Sequence, residues 1–100
     1  MLTVRLTSEF ESWLDGLRDK KAQVRIAARL RQAETGNLGD WKPVGTGVSE
    51  MRVNFGPGYR LYFTRKGSVL IVVLAGGDKS SQATDIRRAQ RILKQLESEL

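Results

Sequence analysis

Cysteine and histidine are both absent from the 100-residue sequence. Without cysteine the chain can form no disulfide and has no thiolate nucleophile, which fits a reducing compartment. Without histidine it lacks the usual zinc ligands and the imidazole that most often serves as a general base. We therefore expect no metal and no other cofactor, and any acid–base chemistry must come from Asp, Glu, Lys, Arg or Tyr side chains.

Long apolar runs are also missing. The longest extends from Val69 to Ala75, seven residues, whereas a helix that spans a bilayer needs about twenty. Near the N-terminus Arg5 interrupts a start that otherwise alternates like a strand, so no signal peptide is predicted. These features predict a cytoplasmic protein that does not contact a membrane.

Basic residues outnumber acidic ones, 17 to 11, which gives a formal net charge of +6. The excess lies in two stretches, Arg18–Arg31 with six basic residues and one acidic residue, and Arg52–Lys94 with nine and two. Such a surface suits nucleic acid or an acidic protein as a partner. The length and the hydrophobic content of 40% fit one globular domain, residues 1–100.

The first half of the chain predicts one strand and two helices. Leu2–Thr7 alternates apolar and polar residues, as a half-buried strand does. Ser8, with Glu11 three residues later, has the spacing of a helix cap, and apolar residues then recur at helical spacing. Asp19 is expected to cap a second helix with its own apolar face. The glycines and the proline between residues 36 and 47 predict the end of helical structure and a loose connection to the next element.

In the second half the period changes to two. Val48–Phe55 and Arg60–Thr64 predict a hairpin around a glycine–proline–glycine turn. Val69–Ala75 does not alternate and is rich in β-branched residues, which is typical of a central strand covered on both faces. Gly76–Lys79 is expected to break this strand, and a last amphipathic helix begins near Ser81.

The element order β-α-α-β-β-β-α predicts an α+β fold. We expect an N-terminal strand and a helix hairpin packed on a small, mostly antiparallel sheet, followed by a C-terminal helix. If the apolar residues of the predicted hairpin face the helices, the pleat turns the alternate residues toward solvent. The residues expected on this open face are Glu50, Arg52, Arg60, Tyr62 and Thr64, with Lys79 at the end of the next strand.

A polar sheet face is usually only solvated, but this mixture of residues also suits RNA cleavage. Cleavage without a metal needs a base for the 2′-hydroxyl, cations for the charge on the phosphorane and an acid for the leaving 5′-oxygen. Glu50 is the candidate base, and the guanidinium groups of Arg52 and Arg60 are suited to phosphate. Lys79 or Tyr62 is the candidate acid.

Several other side chains are candidates for contact with RNA. Tyr59, like Tyr62, can stack on a base. Arg25 and Arg29 lie on a basic stripe of the second helix, and Arg87 and Arg91 lie on the last helix. Such stripes are most often solvated, and their functional interpretation is a contact with ribosomal RNA or a phosphate backbone.

Motifs over nearly the whole chain closely resemble one family. The strongest are Val48–Phe63 and the segment Gly76–Gln82, and Asp85-Ile86 follows the pattern as well. These motifs resemble the addiction-module killer proteins, a HigB-like branch of the RelE/ParE toxin superfamily. Further matching segments are Phe10–Leu14, Ala27–Leu30, Gly36-Asn37, Gly39-Asp40 and Lys42–Val44.

The resemblance implies a RelE/ParE-like fold and the toxin of a type II toxin–antitoxin pair. A cognate protein antitoxin, usually of the helix-turn-helix type, would neutralise the toxin, and operator DNA would be contacted only through that antitoxin. Relatives enter the ribosomal A site, next to ribosomal RNA, and cut mRNA there by 2′-hydroxyl attack without a metal. Carried over by position, the acidic residue is Glu50, the strand cations are Arg52 and Arg60, and Lys79 follows the last core strand.

The expected activity is therefore that of an mRNA interferase, a metal-independent endoribonuclease that inhibits translation. Several relatives have a histidine at the position after the last core strand, and this chain has none. Two alternatives share the fold: a ParE-like inhibitor of DNA gyrase, and a catalytically inactive module that binds RNA or protein.

Overall fold

Five strands form one sheet in the computed structural model, which describes residues 1–99. The order across the sheet is first, fifth, fourth, third, second, and every neighbouring pair is antiparallel except the first and fifth strands. The α+β fold with a mostly antiparallel sheet is thus confirmed. The elements are β1 (Thr3–Leu6), α1 (Ser8–Asp15), α2 (Lys20–Glu34), β2 (Trp41–Gly45), β3 (Val48–Val53), β4 (Tyr59–Lys66), β5 (Leu70–Asp78) and α3 (Gln82–Ser98).

Helices α1 and α2 begin at side-chain caps. The Thr7 hydroxyl accepts a hydrogen bond from the Phe10 amide at 3.1 Å, one residue before the predicted cap at Ser8. Asp19 caps α2 as predicted, because its carboxylate accepts from the Lys21 amide at 2.9 Å. Each cap satisfies an amide that has no partner inside its helix.

The two helices cover one face of the sheet and bury its apolar side chains. Within residues 1–99 no helix has the length and apolar character needed to cross a membrane. The side chains buried between these helices and the sheet form the larger of the two apolar clusters of the described chain. Its fully buried members include Phe10, Ile26, Met51, Leu61, Phe63, Ile71 and Val73.

Helix α3 covers the opposite face, which the sequence predicted to be open. Its Ala89 and Leu93 pack with Tyr62 and Leu74 of the sheet in a second apolar cluster. The pleat was predicted with the correct orientation, but the apolar stripe of α3 also has to be buried, and the first face is already filled. As a correction, Glu50 and Tyr62 are 0% exposed and Thr64 is 4% exposed.

Strand β2 was predicted to be part of a loose connection, and this prediction is wrong. The segment pairs with β3 at the edge of the sheet. It is mostly exposed and contains Pro43, so it shows neither apolar alternation nor ordinary strand composition. An edge strand tolerates proline because one side of its backbone needs no partner. Trp41 opens the strand at 38% exposure, with its ring centroid 5.9 Å from that of Phe63.

Gly76 and Gly77 lie inside β5 and do not break it, contrary to prediction. The two residues face opposite sides of the sheet, and each allows a close approach. A Cβ on Gly76 would lie 2.3 Å from Trp13 Cε3 of α1, and a Cβ on Gly77 would lie 1.9 Å from Asp85 Oδ2 of α3. Glycine is required here because the helices pack directly against the strand backbone.

Gly76→Ala is expected to lower the free energy of unfolding by about 1–3 kcal/mol, because the added methyl group overpacks the contact with Trp13. Urea unfolding measures the loss. In the Trp13→Leu background the same substitution should cost clearly less, since the ring that it meets is gone. Equal costs in the two backgrounds would contradict this contact.

Candidate functional site

A cleft of about 470 Å³ opens at the end of the sheet where the β3–β4 turn meets the start of a short 3-10 helix, Lys79–Ser81. Three cations line it: Arg52, Arg60 and Lys79. Three of the five residues predicted to be catalytic thus line one cleft. The cleft is also lined by Asp40, Asn54 and residues 55–59.

Arg52 and Arg60 stand directly opposite each other on β3 and β4. Like charges in this arrangement repel, so the pair needs a counter-charge. Glu50 supplies it: its Oε2 accepts from Arg52 Nε at 3.2 Å and from Arg60 Nη1 at 2.8 Å. The side chains of Arg52 and Arg60 are 33% and 16% exposed, so one side of each guanidinium faces the cleft while the carboxylate lies behind them.

The second carboxylate oxygen of Glu50 is also engaged, because Oε1 accepts from Gln82 Nε2 of α3 at 2.6 Å. Burial raises the pKa of Glu50, but the hydrogen bonds from Gln82 and Arg52 and the charges of Arg60 and Arg52 outweigh it and hold the pKa below its ordinary value. A carboxylate held in this way is a weak base with no free face. The geometry favours Glu50 as the residue that orients the arginines over the predicted role as base.

The third cation is positioned by the backbone. The Lys79 amide donates to the Gly58 carbonyl at 2.9 Å, which ties the 3-10 helix to the β3–β4 turn. Asp78 caps that helix by accepting from the Ser80 amide at 2.9 Å, and hydrogen bonds from Ser80 lower the pKa of Asp78. The exposed Lys79 side chain runs past Gly58 into the cleft, 3.6 Å from where a Cβ of Gly58 would lie.

Comparison with known proteins places these residues within a family. The model of the family described as phage-derived protein Gp49-like (DUF891) matches residues 12–97. The chain belongs to this family. A Haemophilus influenzae protein described as uncharacterized is 39% identical over 95 residues, which cover 95% of this chain and 96% of the relative. Every residue that lines the cleft lies inside the family match.

Both tyrosines of this Gp49-like chain were predicted to be available to stack on a base, and both are buried. Tyr59 is 7% exposed and packs edge-on against Trp13, with the ring centroids 6.0 Å apart. Tyr62 lies under α3, and in the described part of the chain its hydroxyl has no hydrogen-bond partner. Burial and the charges of Glu50 and Asp85 raise the pKa of Tyr62. A neutral phenol with no access to the cleft is poorly suited to the predicted role as acid.

The four arginines predicted to bind RNA differ in their environments. Arg29 is structural: its guanidinium donates to the carbonyl oxygens of Leu38, at 3.0 Å, and Arg52. Its expected solvated position is therefore wrong, since the loop after α2 folds over it. Arg25 is exposed and stacks over the Phe55 ring. Arg87 and Arg91 are exposed on α3.

Three residues near the site were missed by sequence reasoning. Asp40 and Asn54 line the cleft, and Gln82 anchors Glu50. Asp40 precedes the unpredicted β2, so no periodicity signalled its position. Asn54 follows Arg52 by two residues, a spacing that predicts the same face of an extended chain. Within residues 1–99 no group of three or more carboxylates lies close enough together to hold a metal ion.

Glu50→Gln should lower the free energy of unfolding at neutral pH by about 2 kcal/mol, because it leaves two opposed arginines without a counter-charge. The pKa of Glu50 in the folded protein lies below its ordinary value of 4.5. The charged carboxylate therefore adds to the free energy of unfolding above pH 4.5, and this stabilisation is lost as the pH falls through the folded pKa. The stabilities of the two proteins should therefore converge in acid. Urea titrations between pH 7 and pH 3 measure this, with the exposed Glu11→Gln as control.

Tyr62→Phe should leave the free energy of unfolding unchanged or raise it by about 1 kcal/mol, because it removes a buried hydroxyl that has no partner. Thermal and urea unfolding test the substitution. A loss of more than about 1 kcal/mol would indicate that the hydroxyl makes a stabilising hydrogen bond.

Proposed function

We propose that this Gp49-like protein is the toxin of a type II toxin–antitoxin system and acts as a ribosome-dependent mRNA endonuclease. The observation that carries the proposal is the cleft, in which a fixed pair of arginines and a lysine face solvent. Planar guanidinium groups of set orientation suit a phosphate with developing charge. Family membership is compatible with this role, and the HigB-like and RelE/ParE-like motifs support it.

The proposed reaction is a transfer at phosphorus. The 2′-oxygen of the RNA forms a bond to the adjacent phosphorus, and the bond from phosphorus to the 5′-oxygen of the next nucleotide breaks. Arg52 and Arg60 hold the non-bridging oxygens and stabilise the added charge. The products are a 2′,3′-cyclic phosphate and a free 5′-hydroxyl.

Two protons move in this reaction. Lys79, the amine that lines the cleft, donates a proton to the departing 5′-oxygen. The proton of the 2′-hydroxyl passes to Asp40, the carboxylate that lines the cleft. Glu50 keeps both arginines aligned from behind, and Tyr62 takes no part.

The partners follow from the same proposal. mRNA in the ribosomal A site is the substrate, and ribosomal RNA is contacted by exposed cations such as Arg87 and Arg91. A cognate antitoxin with acidic groups neutralises the toxin by covering the cleft or by blocking entry to the ribosome. Operator DNA is bound only by the antitoxin, and the complex acts in the cytoplasm.

Arg60→Ala and Arg52→Ala should each lower the cleavage rate on the order of 100-fold, because each removes a cation from the transition state. The cleavage rate of Arg60→Lys should lie between those of the parent and Arg60→Ala, because lysine keeps the charge that pairs with Glu50 and lacks the planar guanidinium group. Translation in a cell-free extract measures the effect. Arg65→Ala, an exposed arginine further along β4, is the matched control and should be as inhibitory as the parent.

Pulse labelling after induction without antitoxin distinguishes the function classes. Methionine incorporation should stop first, and mapped RNA should show new 5′ ends inside translated codons. Continued methionine incorporation with arrested DNA synthesis would point to gyrase and overturn the proposal. Unaffected growth would point to an inactive binding module.

A further inference from the structure

A second concave surface adjoins the cleft on the side of α2. It has a volume of about 310 Å³ and is lined by Lys20, Lys21, Val24, Arg25 and Phe55. Phe55 also lines the cleft, so the two depressions adjoin at this residue. A third depression of about 330 Å³ shares Arg25 with the second and Asn54 with the cleft. We call the five residues of the second depression the Phe55 shelf.

The Phe55 shelf combines an arginine stacked over an aromatic ring with two neighbouring lysines. The guanidinium carbon of Arg25 lies 4.8 Å from the centroid of the Phe55 ring. Lys20, Lys21 and Arg25 are exposed, and in the described chain none of them forms a salt bridge. An aromatic ring and a guanidinium next to unpaired lysines are typical of surfaces that hold single-stranded nucleic acid.

The local backbone fixes the ring at the mouth of the cleft. The Phe55 carbonyl accepts from the Gly58 amide at 3.1 Å, and the Phe55 amide donates to the Val53 carbonyl at 2.9 Å. The Gly58 carbonyl in turn accepts from the Lys79 amide, so Phe55 and Lys79 are held by the same turn. A strand whose phosphate lies between Arg60 and Lys79 meets Phe55 if it leaves the cleft on the side of α2.

We propose that the Phe55 shelf is a subsite for single-stranded RNA that flanks the cleaved phosphodiester. A base of a flanking nucleotide stacks against the Arg25–Phe55 pair, and the adjoining phosphate lies against Lys20 and Lys21. The subsite rests on the proposed nuclease function and assigns the shelf to the substrate strand. Duplex RNA is disfavoured because its bases are already stacked.

The test measures binding of the full chain to a fluorescent single-stranded decamer with 2′-O-methyl groups, which cannot be cleaved. Phe55→Leu keeps apolar volume and removes the ring, and it should weaken binding about 5- to 10-fold. Arg25→Gln should weaken it comparably, whereas Arg31→Gln, the same charge change at another exposed position on α2, should have a smaller effect. Circular dichroism confirms that each variant is folded.

Two further measurements separate stacking from charge. Lys20→Gln/Lys21→Gln should reduce the slope of log affinity against log salt by about 0.7 for each lost phosphate contact. Phe55→Leu should weaken the binding of a dinucleotide that fills the cleft less than it weakens the binding of the decamer, because Phe55 lines the cleft but the rest of the shelf lies beyond it.

Equal decamer affinities for the parent and Phe55→Leu would overturn the subsite. If Phe55→Leu instead binds oligoglutamate more weakly than the parent and binds the decamer equally well, the shelf holds an acidic protein segment and the subsite is overturned. If that happens while the parent still blocks translation, the nuclease proposal stands without the shelf. A parent that neither binds the decamer nor blocks translation overturns both.

Discussion

The buried carboxylate of Glu50 is the constraint on which the candidate site depends. Two arginines directly opposite each other on adjacent strands repel, and a negative charge between them offsets that repulsion. A carboxylate at 0% exposure would be strongly unfavourable without cations beside it. The carboxylate and the two cations therefore stabilise one another, and one hydrogen bond to Glu50 orients each guanidinium group. Partial exposure of the arginines keeps the desolvation cost below that of a fully buried ion pair.

Helix α3 is what buries this carboxylate, so the C-terminal element is part of the site. Gln82 at its start donates to Glu50, and three residues later Asp85 accepts from Ser81 at 2.5 Å and from Arg88 at 2.9 Å. Arg88 also donates to the Gly76 carbonyl of β5 at 3.0 Å. Gly77 allows this helix to approach, because any side chain there would occupy the position of Asp85. Packing at the end of β5 thus determines how the arginines are held.

Sequence periodicity predicted which residues share a face, and it did not predict what covers that face. The alternation of β3 and β4 correctly placed Glu50, Arg52 and Arg60 on one side of the sheet. Whether that side is solvated depends on where α3 packs, which is a property of the whole chain. For the same reason Tyr62 was expected at the surface, although its ring fills the second apolar cluster. Strand β2 carries no period because its edge position buries almost nothing, and Asp40 was missed with it.

Fewer cations are available to bind a phosphate than the net charge of the protein suggests. Arg29 and Arg88 donate hydrogen bonds to backbone carbonyl oxygens, Arg29 to those of Leu38 and Arg52 and Arg88 to that of Gly76. Arg52 and Arg60 share one carboxylate between two charges, so the local sum at the cleft stays positive. Lys79 lies in the cleft and forms no salt bridge in the described chain. The three cations of the site outnumber its two carboxylates, the buried Glu50 and the cleft-lining Asp40, so a positive charge remains to attract a phosphodiester, and the arginines are oriented before the substrate arrives. Such preorganised cations need little rearrangement as charge develops in the transition state, which is the condition under which they are most effective.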